Sequence, residues 1–135
     1  MKQDHGPNPY VVNILEATLG NENYRTTIWT GQHLQVTLMT IKPGEDIGLE
    51  VHPDNDQFLR IEDGSGIVQM GDTDSDLTFK KDVKNDDAIL IPAGKYHNVL
   101  NTSDKPLRLY SIYSPAHHPF GTIHKTKAIA EEEGD

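Results

Sequence analysis

No cysteine occurs anywhere in this chain. That excludes disulfide staples and thiolate metal ligands, and it suits a reducing compartment. Aromatic residues are few, at 7%, and no apolar run approaches the roughly 20 residues of a membrane-spanning helix. The N-terminal stretch is polar, with Pro7 and Pro9, and has no apolar segment of the kind a secretory signal uses. Positive charge is in the minority: 12 Lys and Arg face 21 Asp and Glu, a net charge of −9. Such a chain repels the phosphate backbone of nucleic acids and anionic lipid surfaces. These absences lead us to expect a soluble cytoplasmic protein, with no nucleic-acid or membrane partner, that acts on a small molecule.

What is present is a series of short strand-like segments separated by Gly, Pro, Asn and Asp. The 135 residues suffice for one domain with a modest core. An extended arm is expected over residues 1–9, with His5 solvated, and a first short strand over Tyr10–Ile14. A helical turn or loop should follow over Leu15–Asn23. Arg25–Thr30 and Leu34–Ile41 read as strands around a Gly31–His33 turn, which leaves His33 at the surface. Gln57–Glu62 alternates, so Gln57, Leu59 and Ile61 share the inner face while Arg60 and Glu62 face out. Further strands are expected at Ile67–Met70, Leu77–Lys80, Ala88–Ile91, His97–Asn101 and Leu107–Tyr113. The acidic run from Asp72 to Asp76 lacks the closing Glu of a calcium loop and reads as a solvated hairpin. Regular short strands with turn residues between them predict an all-β sandwich or barrel.

Two clusters place metal-capable side chains beside turn residues. In the first, Glu50 and His52 are two apart, so on a strand they face the same way. Pro53–Asp56 then turns the chain and Gln57 opens the next strand. In the second, His97 follows a Pro92-x-Gly94 turn. A carboxylate and two imidazoles are good donors to a divalent ion.

The joint spacing resembles the paired motifs of the cupin family, G-x5-H-x-H-x3,4-E-x6-G and G-x5-P-x-G-x2-H-x3-N, read here from Gly44 to Gly64 and from Asp86 to Asn101. The resemblance implies a double-stranded β-helix, the jelly-roll barrel, here as a single domain over 1–135. The barrel should occupy about 25–114, followed by a tail at 115–135 that ends in a short C-terminal helix. It also implies that Glu50, His52, Gln57 and His97 surround a divalent ion (zinc, nickel, manganese or iron). Three positions depart from the motifs: Glu50 replaces the first His, Gln57 replaces Glu, and Asp86 replaces Gly. The carboxylate has moved rather than vanished, so the ligand charge is unchanged. As a neutral amide, Gln57 is the weakest of the four donors.

An inventory of one Gln, one Glu and two His is similar to that of cupin-fold mannose-6-phosphate isomerases, in a different order. This implies a non-redox, isomerase-like metalloenzyme on a sugar or sugar acid. An iron-dependent dioxygenase and a non-catalytic binding domain are the alternatives. Leu59, inward by parity, and Tyr110, His117 and His118 are the candidate substrate contacts. The outward parity of Arg60 speaks against a phosphorylated substrate. The tail histidines His117, His118 and His124 are expected at the surface, the other reading being that the tail folds over the barrel mouth. Cupins often pair through such terminal segments, so a homodimer is the expectation from resemblance.

Overall fold

The computed structural model describes residues 3–134. A helix, α1 (Ile14–Gly20), precedes eight strands: β1 (Arg25–Thr30), β2 (Gln35–Ile41), β3 (Asp56–Asp63), β4 (Ser65–Gly71), β5 (Phe79–Lys84), β6 (Ala88–Ile91), β7 (Tyr96–Leu100) and β8 (Leu107–Ser114). A two-residue strand, β9 (Ile123–His124), and a second helix, α2 (Lys127–Glu132), complete the chain. One sheet has six strands in the order β6-β3-β8-β2-β1-β9, and the other has three in the order β5-β4-β7. Every strand pair is antiparallel. The result is the expected all-β double-stranded β-helix with a short C-terminal helix.

The expected strand over Tyr10–Ile14 is not formed. The Asn13 side chain instead accepts a hydrogen bond from Glu16 N–H at 3.0 Å, capping a helix that begins at Ile14. An Asx cap outweighs the β preference of a few residues that find no strand to pair with. At the other end of the chain, Thr126 caps α2 by accepting from Ile129 N–H at 3.2 Å.

The inner face of the larger sheet changes character along its strands. Register places Ile41 beside Leu107, then Met39 beside Leu109 and Leu109 beside Ile61. The next layer sets Thr37 and Leu59 against Ser111, and the last sets Gln35 and Gln57 against Tyr113. One end of the barrel is therefore aliphatic, closed from the smaller sheet by Val68, Met70 and Val99. The other end is polar and buried. Parity along β3 holds as far as Ile61. There the β3–β8 register shifts before Asp63, and Glu62, expected outside, is buried and paired with Arg60. Its pairing with Arg60, two positions back, keeps Glu62 on the face of Arg60, covered there rather than turned into the barrel.

Candidate metal centre

The first cluster does not lie on a named strand. Residues 46–50 instead run along the free edge of β7 through isolated bridges, Asp46 to Leu100 and Glu50 to His97. Glu50 N–H donates to the His97 carbonyl at 3.0 Å, and His97 N–H donates to the Glu50 carbonyl at 2.8 Å. This reciprocal pair brings the two motifs side by side. The turn at Pro53–Asp54 then carries the chain across to β3 in the other sheet, so Gln57 reaches the site from the opposite sheet.

Donor atoms of Glu50, His52 and His97 all lie within 4.8 Å of one another. His52 and His97 are buried, their ring centroids 5.1 Å apart. Neither nitrogen of His52 has a hydrogen-bond partner, nor does His97 Nε2. The other nitrogen of His97 is held by the Lys95 carbonyl at 3.0 Å, which must accept, so Nε2 keeps its lone pair. Gln57 donates from Nε2 to Ser111 Oγ at 2.8 Å, and its buried carbonyl oxygen has no partner. Buried acceptors without donors are costly and rare. His52, being neutral, carries one ring proton, so three acceptor atoms are left beside a carboxylate, and together they fit a cation.

Burial dominates the electrostatics. It pushes His52 from the ordinary 6.5 down to about 3, helped by the neighbouring His117 and His97 rings and by Arg25. Burial also lowers His97, against the opposing pull of the Lys95 carbonyl. Both rings are therefore neutral lone-pair donors at neutral pH.

The tail corrects one expectation. It folds back over the mouth of its own barrel, where His118 and His124 are buried. His117 remains exposed, its ring centroid 4.1 Å from that of His52. Gln35 holds this segment in place. Its Oε1 accepts from His117 N–H at 3.1 Å and His118 N–H at 2.9 Å, and its Nε2 donates to the His118 carbonyl at 2.7 Å. His118 Nε2 lies 3.4 Å from the Tyr113 hydroxyl, and burial with the nearby Arg25 charge takes this ring down to about 2. A basin of ≈ 480 Å³ results, walled by Glu50, His52, His117, His118, His124 and Glu133.

Two expected substrate contacts fall elsewhere. Leu59 is fully buried in the aliphatic core beneath the polar layers and does not line the basin. Tyr110 alternates with the inward Leu109 and Ser111, so it faces out of the barrel, its ring 6.3 Å from that of Phe58. Sequence reasoning missed Arg25, Gln35 and Glu133, and placed His124 in the site only under the alternative reading of the tail. The buried Arg25 pairs across strands with His124 and donates from NH1 to its Nδ1 at 2.9 Å.

Comparisons with known proteins agree with this architecture. A family model described as a cupin domain matches residues 37–113, more than half of the chain. YrkC of Bacillus subtilis, an uncharacterised protein, is 59% identical over 128 residues, covering 95% of this chain and 69% of that protein. The crystal structure of BH2720 from Bacillus halodurans superposes with a TM-score of 0.95 at 60% identity, covering 96% of this chain and 98% of the other. A double-stranded β-helix protein of Klebsiella pneumoniae shares the fold, with a TM-score of 0.66 at 17% identity over 87% of this chain and 98% of its own. Among the described residues no helix is long and apolar enough to cross a membrane. The Asp86 departure also has a structural account: its φ is +74°, the left-handed conformation for which glycine is the usual residue. From the matched domain, the paired motifs and the barrel they build, the chain belongs to the cupin family.

Proposed function

We propose that this cupin is a divalent-metal-dependent, non-redox enzyme of isomerase-like type, acting on a small polar substrate such as a sugar or sugar acid. The observation that carries the reading is the convergence of Glu50, His52 and His97 donors within 4.8 Å, with imidazole lone pairs otherwise unused, beside an open basin that Glu50 and His52 line. Glu50, His52 and His97 would hold the ion, and the Gln57 carbonyl would complete the set. Bound there, a divalent ion supplies Lewis-acid polarisation of a substrate oxygen.

The remaining residues orient the substrate and move protons. His117 stands exposed at the rim, beside His52 and in the basin wall, where it can exchange protons with both water and a bound molecule. Tyr113 lies beneath it, at 5.4 Å between ring centroids, and supports its ring. The Gln35 clamp fixes the backbone of His117 and His118 and so fixes where these rings can reach.

A second reading has one specific observation in its favour. Two His and one carboxylate are also the ligand set of oxygen-activating iron enzymes. Elemental analysis of protein purified without added metal, followed by titration of the metal-free form, separates the readings. We expect one ion per chain, lost in His97→Ala and only weakened in Gln57→Ala. Zinc, nickel or manganese with activity in a sugar isomerisation screen supports the first reading. Iron with oxygen consumption supports the second. Failure of the metal-free protein to bind any divalent ion refutes both, and equal loss in the two variants refutes the ranking of the ligands.

A further inference from the structure

The basin has a second end, away from Glu50, His52 and His97. Its wall is His118, His124 and Glu133, with Arg25 directly behind His124. An arginine has no acceptor, so the 2.9 Å contact from its NH1 makes His124 Nδ1 the acceptor. The ring proton must then sit on Nε2. The sequence thereby fixes His124 as an N–H donor whose direction and tautomer are set by a permanently charged neighbour.

A carboxylate already rests against this donor. Glu133 Oε1 lies 3.4 Å from His124 Nε2, at the exposed C-cap of α2. The Glu133 side chain is 59% exposed while that of His124 is 4% exposed, so the acid is the movable partner and the imidazole the fixed one. The charge balance favours an incoming anion. With a divalent ion held by Glu50, and with Arg25 and Glu133 counted, one positive charge is left over in a chain whose net charge is −9. The Arg25 charge also helps keep both His52 and His118 neutral, so its field crosses the basin.

We propose that the His118–His124 end of the basin, backed by Arg25, is an anion subsite that takes a carboxylate or phosphate group of the substrate, displacing Glu133. This rests on the metal-dependent reading for the rest of the substrate and assigns its chemical class: a molecule with metal-binding oxygens at one end and an anionic group at the other. Arg25 also removes the objection to phosphorylated substrates raised by the outward Arg60, since an inward arginine is present after all.

The test is side-chain nitrogen NMR of the histidines in zinc-loaded and metal-free protein, with zinc content measured independently. The probes are glycolate, inorganic phosphate and the neutral glycolamide. Glycolate or phosphate should shift the His124 ring resonances in both forms, at higher concentration in the metal-free form because the two charges of the ion are gone, and glycolamide should not. Glu133→Gln should tighten the better anion several-fold, and His124→Phe should weaken it about tenfold, with zinc stoichiometry unchanged in both. Preference between glycolate and phosphate identifies the anionic group. The subsite is refuted if neither anion moves His124, if glycolamide moves it equally, or if Glu133→Gln leaves anion affinity unchanged. If the wild type holds no zinc but His124 still responds in the metal-free form, the subsite stands and the metal reading falls.

Discussion

Replacing Gln35 with leucine tests whether a single buried amide holds the tail over the basin. The wild-type side chain is fully buried and makes four hydrogen bonds: to the His118 carbonyl at 2.7 Å, to Thr30 Oγ1 at 3.0 Å, and from His117 and His118 N–H at 3.1 and 2.9 Å. Each neutral bond contributes about 1 kcal/mol net, and a partner left buried and unsatisfied costs about 1–3 kcal/mol. The tail partners can regain water by lifting off, which caps the loss, and we take about 3 kcal/mol as the expected cost of Gln35→Leu. At about 4 °C per kcal/mol for a domain of this size, the melting temperature should fall by roughly 12 °C. Hydrogen exchange should locate the damage, with the His117 and His118 amides losing protection while the β3–β8 ladder keeps its own. Gln35→Glu retains the acceptor for the two amides but loses both donations, so it should fall between wild type and Gln35→Leu. A drop below about 4 °C with both amides still protected would show that the clamp does not hold the tail.

Two further outcomes follow from the same geometry. The folded-state values of His52 and His118, about 3 and about 2, lie below the unfolded value of 6.5, so the unfolded chain binds more protons in the interval between. Metal-free protein should therefore be at full stability above pH 6.5 and lose it on acidification from there toward pH 3, by up to about 1.4 kcal/mol per pH unit for each ring. Thermal melts of the metal-free form across this range check the sign, and a flat profile refutes the burial argument. Gly66→Ala would place a methyl group 2.1 Å from the Leu100 carbonyl oxygen, a backbone atom of β7 that cannot yield without separating β7 from β4. Because β7 carries His97, this variant should lose metal affinity as well as stability, and wild-type affinity in a metal titration would contradict the link.

The barrel was legible because its signals are local. Turn residues and alternation located seven of the eight longer strands to within a residue or two, and the motif spacing named the three donors that converge. β5 is displaced from the expected Leu77–Lys80 to Phe79–Lys84, where only Val83 is buried and periodicity has little to report. The far wall of the basin was illegible for a physical reason. On β2 the inward face carries Gln35 and Thr37, while the other face carries Val36 and Leu38. Hydrophobic alternation thus points the wrong face inward at the end of the strand that builds the site. Arg25 is hidden in the same way, since a charged residue opening a strand reads as surface unless its partner is known. That partner, His124, lies 99 positions away on a strand two residues long.

These failures and the site share one origin. A barrel selected for stability alone would continue the aliphatic layers of Ile41, Met39, Leu107 and Leu109 to its other end. This one instead places Gln57, His52 and His97 there with four polar atoms unsatisfied, three of them acceptors once His52 carries its one ring proton. At about 1–3 kcal/mol each, such atoms cost an amount comparable with the roughly 5–15 kcal/mol by which a domain is stable. The same burial lowers the imidazole pKa values, and that keeps the lone pairs unprotonated and available at neutral pH. It also places them above a dry floor, where Leu59 has no exposed surface and charges interact more strongly than in water. The penalty and the capacity to hold a cation are therefore two readings of one arrangement. Relieving the penalty with apolar residues would remove the donors as well.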